Sequence, residues 1–343
     1  MPLYEFFALV RKLSSFCGTS GDEGMVRDFI KTQLPDRCKV SNDNIGNLIV
    51  FKKGAATPKN KLMYCAHMDE VGFIITAVTD DGRLKFAPVG GISSDVVYGR
   101  RVQFADGRTG VIAAKALHQL SSDEKEKQPE IKELAIDIGA KDRAEAEKYV
   151  TPGDFCYFCG EYEEFGDGFI KAKALDDRVG CAVMIKLLQE ELPYDVWFVF
   201  TVQEEIGTRG AGCAAFNIQP DIGVILETTT ACDIAGSEGE KAVCRLGEGA
   251  VVSFMDRSTI YDRELYRLVR AEADKLGIKN QTKTVVAGGN DSGAVHKAAG
   301  GVRTTAVSVP TRYLHSPACV MKKDDVLAVL DTARAILPVL AEL

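Results

Sequence analysis

Residues 61–69 read KLMYCAHMD, an apolar run from Leu62 to Ala66 that stops abruptly at His67 and Asp69. A run this short, apolar without interruption and closed by charge, is the signature of a buried strand rather than of an amphipathic helix. The same texture returns at 195–205, DVWFVFTVQEE, and at 221–227, DIGVILE. Three such strands, separated by helix-like segments, predict an α/β fold. In such folds the strand ends open onto the binding crevice.

Carboxylates at the end of a buried strand cost several kcal/mol unless something positive meets them. Few lysines or arginines lie close in sequence to Glu204, Glu205 or Glu227, so a metal is the expected partner. Two more contexts extend the set: Asp176 in ALDDRVG and His315 in RYLHSP. Two imidazoles and three carboxylates suit a pair of borderline divalent ions, with one carboxylate left over as a base. On an extended strand His67 and Asp69 share a face, so Asp69 is expected to accept the second N–H of the imidazole and orient it. Glu204 and Glu205 are neighbours at a strand end and point in different directions, so one can bind metal while the other faces substrate. Asp176 and Asp177 open a helix-like segment, VGCAVMIKLLQEEL, and one of them can cap it.

Outward from these strands the chain alternates helices and strands, with one interruption. LYEFFALVRKL reads as an amphipathic helix, and SGDEGMVRDFIKTQL as a second whose start is marked by Ser20 and first-turn acids. From about residue 74 short alternating segments appear, FIITAV, LKFAPV, RVQFA and GVIAAKAL, with DDG and DGR turns between them. This is a small β-rich unit, and SSDEKEKQPE within it reads as an exposed loop. The α/β pattern resumes after about residue 165. The expected organisation is a discontinuous α/β domain, 1–73 and 166–343, interrupted by a β-rich unit at 74–165.

At 343 residues and 46% apolar content the chain can bury a large core. Its formal charge of −7 argues against nucleic acid, and no basic stripe carries interleaved aromatics. No apolar run approaches the roughly 18 residues of a membrane helix. The ten cysteines sit in apolar contexts such as MYCAH and VGCAVM. They read as small buried residues of a reducing compartment, which points to the cytoplasm. The single C-x-x-C, Cys156 and Cys159, is a weak metal signal on its own.

The motifs HMDEVGF (67–73), LDDRVG (175–180), QEEIGTRGA (203–211), GGNDSGA (288–294) and VPTRYLHSP (309–317) resemble those of the M42 family of co-catalytic metallo-aminopeptidases, within the clan of dinuclear zinc exopeptidases. The likeness runs from GTSGDEGMVRDFI (18–30) through His315. It implies a mixed-sheet dinuclear zinc-peptidase fold with an inserted oligomerisation unit, and two divalent ions per subunit, zinc or cobalt first and manganese as an option. It further implies His67 and Glu227 on one or other metal, Asp176 bridging both, Glu205 and His315 completing the two shells, and Glu204 as general base, with a cis peptide after the bridging aspartate. Peptides with a free N-terminus are the implied substrates, and dimers building a twelve-subunit shell the implied assembly. A deacylase or carboxypeptidase of the same clan, or an inactive shell-forming binding protein, are the alternatives. Two positions depart from the family pattern: Glu227, where aspartate is commoner, and Asn290, where threonine is. Asp291 fits and is expected to support the site from behind. His118, in KALHQLSS, is either a loop residue or a group facing substrate. The preferred N-terminal residue stays open between acidic, basic and aliphatic.

Overall fold

The computed structural model describes residues 3–119, 121, 129–237 and 239–343. Eight strands form the central sheet, in the spatial order Lys39–Asn42, Leu48–Lys52, Val196–Thr201, Leu62–His67, Ile222–Thr230, Arg303–Thr311, Ala250–Val252 and Asn280–Thr282. The four middle strands are parallel, so their C-terminal ends all reach the same edge. Leu48–Lys52 and Ala250–Val252 flank them antiparallel.

The strand sequences are continuously apolar because both faces are covered. Leu62, Tyr64, Ala66, Phe198, Phe200, Val224 and Leu226 pack into the larger core with the helices Leu3–Ser15, Leu175–Gln189 and Lys323–Glu342. The alternate residues Met63, Cys65, Val199 and Ile225 pack on the opposite face, against the helix Arg209–Ile218 and Val295. The strand quoted as DIGVILE does not end at Glu227; it continues to Thr230 and holds Glu227 opposite Ser308.

The β-rich segment folds into a closed six-stranded barrel of Gly72–Val78, Leu84–Val89, Ala135–Asp137, Thr109–Ala113, Arg101–Gln103 and Phe155–Phe158. It has its own core, in which the Phe73 ring meets Phe86 and Phe158 edge-on at centroid distances of 5.2 and 5.0 Å. Closure removes the exposed edges that so small a sheet would otherwise present. Beyond it, Glu163–Phe165 and Phe169–Ala172 pair with Cys319–Lys322 in a three-stranded sheet beside the main one.

Some local readings change. The second helix is Gly24–Gln33, not a helix opened by Ser20; the Ser20 hydroxyl is drawn instead to Asp69, 49 residues away. Of SSDEKEKQPE only Ser121, Pro129 and Glu130 fall among the described residues, so the loop expected there lies outside them. All ten cysteines are unpaired, Cys156 buried in the barrel and Cys159 half-buried just past its strand. Among the described residues no helix is long and apolar enough to cross a membrane.

Candidate metal centre

The parallel register brings the first ligands together. Ile225 lies opposite Cys65 on neighbouring strands, so Glu227 is level with His67 and on the same face of the sheet. The His67 Nε2 is 3.5 Å from Glu227 Oε1 and 3.3 Å from Asp176 Oδ1. The other oxygen of Asp176, Oδ2, is 3.6 Å from His315 Nε2, which is itself 3.2 Å from Glu205 Oε2. Two candidate ligand triads result, His67–Asp176–Glu227 and Asp176–Glu205–His315, each with its donor atoms within 4.8 Å of one another. Asp176 belongs to both.

Each group is held by the elements around it. The Nδ1 of His67 is 3.0 Å from the Asp69 carbonyl and 3.5 Å from its Oδ1, so the backbone oxygen is the hydrogen-bond acceptor and the carboxylate acts by charge. This differs from the expectation that the Asp69 carboxylate takes the imidazole proton. That carboxylate accepts instead from the Ser20 hydroxyl at 2.6 Å and from the backbone N–H groups of Glu204 and Glu205, both at 3.1 Å. It fixes the turn that presents the two glutamates. Asp177 is the cap: its Oδ1 accepts the Gly180 N–H at 3.1 Å, which leaves Asp176 for the triads, and the peptide between them is cis. His315 donates from Nδ1 to the Gly91 carbonyl of the barrel at 2.7 Å. Behind the site Thr201 donates to Asp291 Oδ2 at 2.5 Å. Ala174, Gln203 and His315 all take positive φ, and such backbone strain collects where geometry is dictated by function.

The electrostatics ask for cations. Burial, then the charges of neighbouring carboxylates, push Glu204 and Glu205 well above the ordinary carboxylate range. Burial lifts Glu227 to about 7 and Asp291 to about 6. Asp176 goes the other way: burial opposes its ionisation, but the hydrogen bond and charge of His67 outweigh it and hold Asp176 at about 2. Burial likewise opposes the charged form of His67, yet Glu227, Asp176 and Asp69 raise it well above normal. Within the triads the imidazoles alone answer the carboxylates. Neutral imidazoles and ionised carboxylates around a divalent ion would relieve both strains at once, so the donor set fits the ions that the motifs imply.

Glu204 stands apart from the triads and lines a cleft of about 650 Å³ together with His67, Asp176, Glu205, Glu227 and His315. Glu227 fits despite its extra methylene, one oxygen also accepting the Thr228 N–H at 2.9 Å. Asn290 lines the same cleft and pairs with Tyr261. His118 is exposed on the turn Leu117–Gln119 and does not line it. Sequence reasoning missed the support beneath HMDEVG. Glu70 is buried and takes Lys173 Nζ at 2.7 and 2.9 Å, while the buried Arg178 binds the carbonyls of Met68, Leu13 and Gly18. A buried acid with its own lysine is structural, and only the position of Lys173 just ahead of ALDDRVG hinted at it.

Known proteins share both sequence and shape with this chain. The pattern of the family described as M42 glutamyl aminopeptidase matches residues 46–331. A putative aminopeptidase of Acetivibrio thermocellus is 40% identical over 91% of this chain and 92% of its own. The lysyl aminopeptidase of Pyrococcus furiosus is 30% identical over 96% of each. Among solved structures, the Pyrococcus horikoshii TET1 peptidase, which can assemble into a tetrahedron or a large octahedral shell, superposes with a TM-score of 0.86 at 34% identity, over 98% of this chain and 99% of its own. This chain therefore belongs to the M42 family of aminopeptidases, hydrolases of peptide bonds.

Proposed function

We propose that this chain removes N-terminal residues from peptides with two divalent ions, one held by His67, Asp176 and Glu227, the other by Asp176, Glu205 and His315, and with Glu204 as general base. The observation that carries this reading is the pair of Asp176 oxygens, each turned to the Nε2 of a different histidine. Zinc or cobalt suits the mixed nitrogen and oxygen donors, with manganese next. Ions bound there would acidify a water and polarise the scissile carbonyl.

The remaining work falls to the protein's own groups. His67 and His315 are each anchored through Nδ1 to a backbone carbonyl, which turns their Nε2 atoms toward the site as the ligand atoms. Asp69 clamps the N–H groups of Glu204 and Glu205 and keeps their side chains apart. Glu204 lines the cleft outside both triads, and from there it takes the proton of the attacking water and returns it to the leaving amine. The free α-amine of the substrate is met by the acidic floor of the cleft, which makes an exopeptidase.

The inserted unit read as residues 74–165, which holds most of the barrel, is proposed to carry subunit contacts, and the likeness to dodecameric and shell-forming peptidases supports a homo-oligomer, proposed as dimers built up to twelve subunits. Ten unpaired cysteines support residence in the cytoplasm. A panel of amino-acid anilides, N-acetylated controls and C-terminally free peptides, assayed with added zinc, cobalt or manganese, tests the activity. Cleavage only of substrates with a free α-amine is expected. Cleavage of the acylated controls would make the protein a deacylase, and no cleavage with two ions bound would make it a binding protein.

A further inference from the structure

Just past the strand Val196–Thr201, four successive backbone N–H groups, from Val202 to Glu205, are all taken by side chains of distant segments. Val202 donates to Asn47 Oδ1 at 3.0 Å, Gln203 to Glu23 Oε1 at 3.0 Å, and Glu204 and Glu205 to the two oxygens of Asp69, both at 3.1 Å. All three acceptor residues are buried. Asn47 is fixed in turn by Asp43 and the Gly210 carbonyl, and Asp69 by Ser20. Glu23 is the third of these clamps.

Glu23 stands just ahead of the helix Gly24–Gln33, where a side-chain oxygen commonly caps the first turn, yet it makes no capping bond. It forms no ion pair among the described residues either, although a buried carboxylate is costly without a partner. Its Oε1 instead accepts two N–H groups, from Gly21 at 2.9 Å and from Gln203. Gln203 has a φ of +56°, in the left-handed region that residues other than glycine enter at a cost. A bond to a carboxylate is strong enough to offset that cost, and it fixes the direction in which the chain leaves the strand. The next residue is Glu204. Glu205 is tied at both ends, by its N–H to Asp69 and by Oε2 3.2 Å from His315 Nε2. Glu204 belongs to neither triad, so its aim depends on the backbone beneath it.

We infer that Glu23 is a positioning residue for the general base: through the Gln203 N–H it holds the backbone that aims Glu204 into the cleft. The inference rests on the reading of Glu204 as base and deepens it. Glu23 does not line the cleft, so its loss acts on the catalytic step and not on substrate binding. A displacement of about 1 Å in a reacting group costs about 100-fold, and a turn still held by Asp69 loses up to that much.

The test uses the full chain loaded with zinc or cobalt and reads kcat, KM, metal content and Tm. Glu23→Met keeps the length and removes the acceptor, and should lower kcat by about 10- to 100-fold with KM and metal content nearly unchanged. Glu23→Gln returns an oxygen to the same place and should recover most of that loss. Glu23→Asp keeps the charge but withdraws the oxygen, and should not. A double-mutant cycle separates positioning from general damage. In a Glu204→Gln background, Glu23→Met should change kcat little, because the base it serves is already gone, whereas damage to the fold at large would multiply with it. Should Glu23→Met fail to fold, Glu23→Asp takes its place in the cycle. Wild-type kcat in Glu23→Met or Glu23→Asp, a Glu23→Gln variant without recovery, or losses that multiply in the cycle each overturn this inference alone. A Glu204→Gln variant with wild-type kcat overturns the reading of the base as well.

Discussion

Glu204 and Glu205 are adjacent and identical in chemistry and are proposed to carry different tasks, so exchanging each for glutamine is the sharpest test of the site. Glu204→Gln keeps the size of the side chain. Glu204 belongs to neither triad and its carboxyl forms no ion pair among the described residues, so little stability and no metal affinity should be lost. What is lost is the proton acceptor. General-base catalysis is worth about 10²- to 10⁴-fold, or about 3–5 kcal/mol of barrier, and kcat should fall by that much with KM nearly unchanged. Glu205→Gln removes a charge 3.2 Å from His315 Nε2 and one of the three donors in its triad. A neutral amide is a poorer ligand, so the affinity of that ion should drop by at least about 10- to 100-fold, and excess metal should restore part of the activity. Metal content by elemental analysis and kcat against added zinc separate the two. If metal rescues Glu204→Gln and not Glu205→Gln, the roles are reversed and the reading of the turn held by Asp69 is wrong.

Further outcomes follow from the same geometry. Exhaustive chelation should abolish activity, and titration back should reveal two ions per chain of unequal affinity, since the triads differ in exposure at His67 and His315; saturation at one ion would refute the paired site. Lys173→Met should strand the buried Glu70 and cost about 3–5 kcal/mol in urea unfolding, and a loss under about 1 kcal/mol would show that Arg178, 3.6 Å away, suffices. Burial pushes Asp325 up to about 6 despite hydrogen bonds from Gly247 and Gly249. Its contribution is therefore fully present below its unfolded pKa near 4 and is lost as pH rises through 6, by about 3 kcal/mol. The stability difference between wild type and Asp325→Asn should narrow by that amount between pH 4 and 7, and a constant difference would refute the shift.

Much of the site was legible because burial on both faces of a parallel sheet leaves an apolar run with nowhere to hide its terminal charge. His67, Glu204 and Glu205 stood out for that reason, and Asp176 and His315 by the motifs around them. What escaped is whatever depends on a partner far along the chain. Ser20 looks like a helix cap by composition, but a buried carboxylate 49 residues on is the stronger acceptor. Which of two adjacent aspartates caps a helix is decided by the backbone of Asp176 and Asp177, which is not helical at either residue. Strand alternation announced a β-rich segment, yet closure into a barrel depends on pairing Gly72–Val78 with Phe155–Phe158, some 80 positions later. Likewise, a glycine such as Gly91 carries no side chain from which a role could be read.

That glycine ties the barrel to the chemistry. His315 is oriented by a carbonyl that belongs to the loop following Leu84–Val89, so the barrel must sit correctly for the second triad to be complete. Thermodynamic linkage makes the dependence mutual: whatever free energy barrel docking adds to ion affinity at His315, the ion returns to barrel docking. In a subunit that assembles through its barrel, neighbours would then raise the affinity for the ion without touching it. Dilution of such an assembly would be felt first as demetallation, and the active enzyme would be confined to the closed particle.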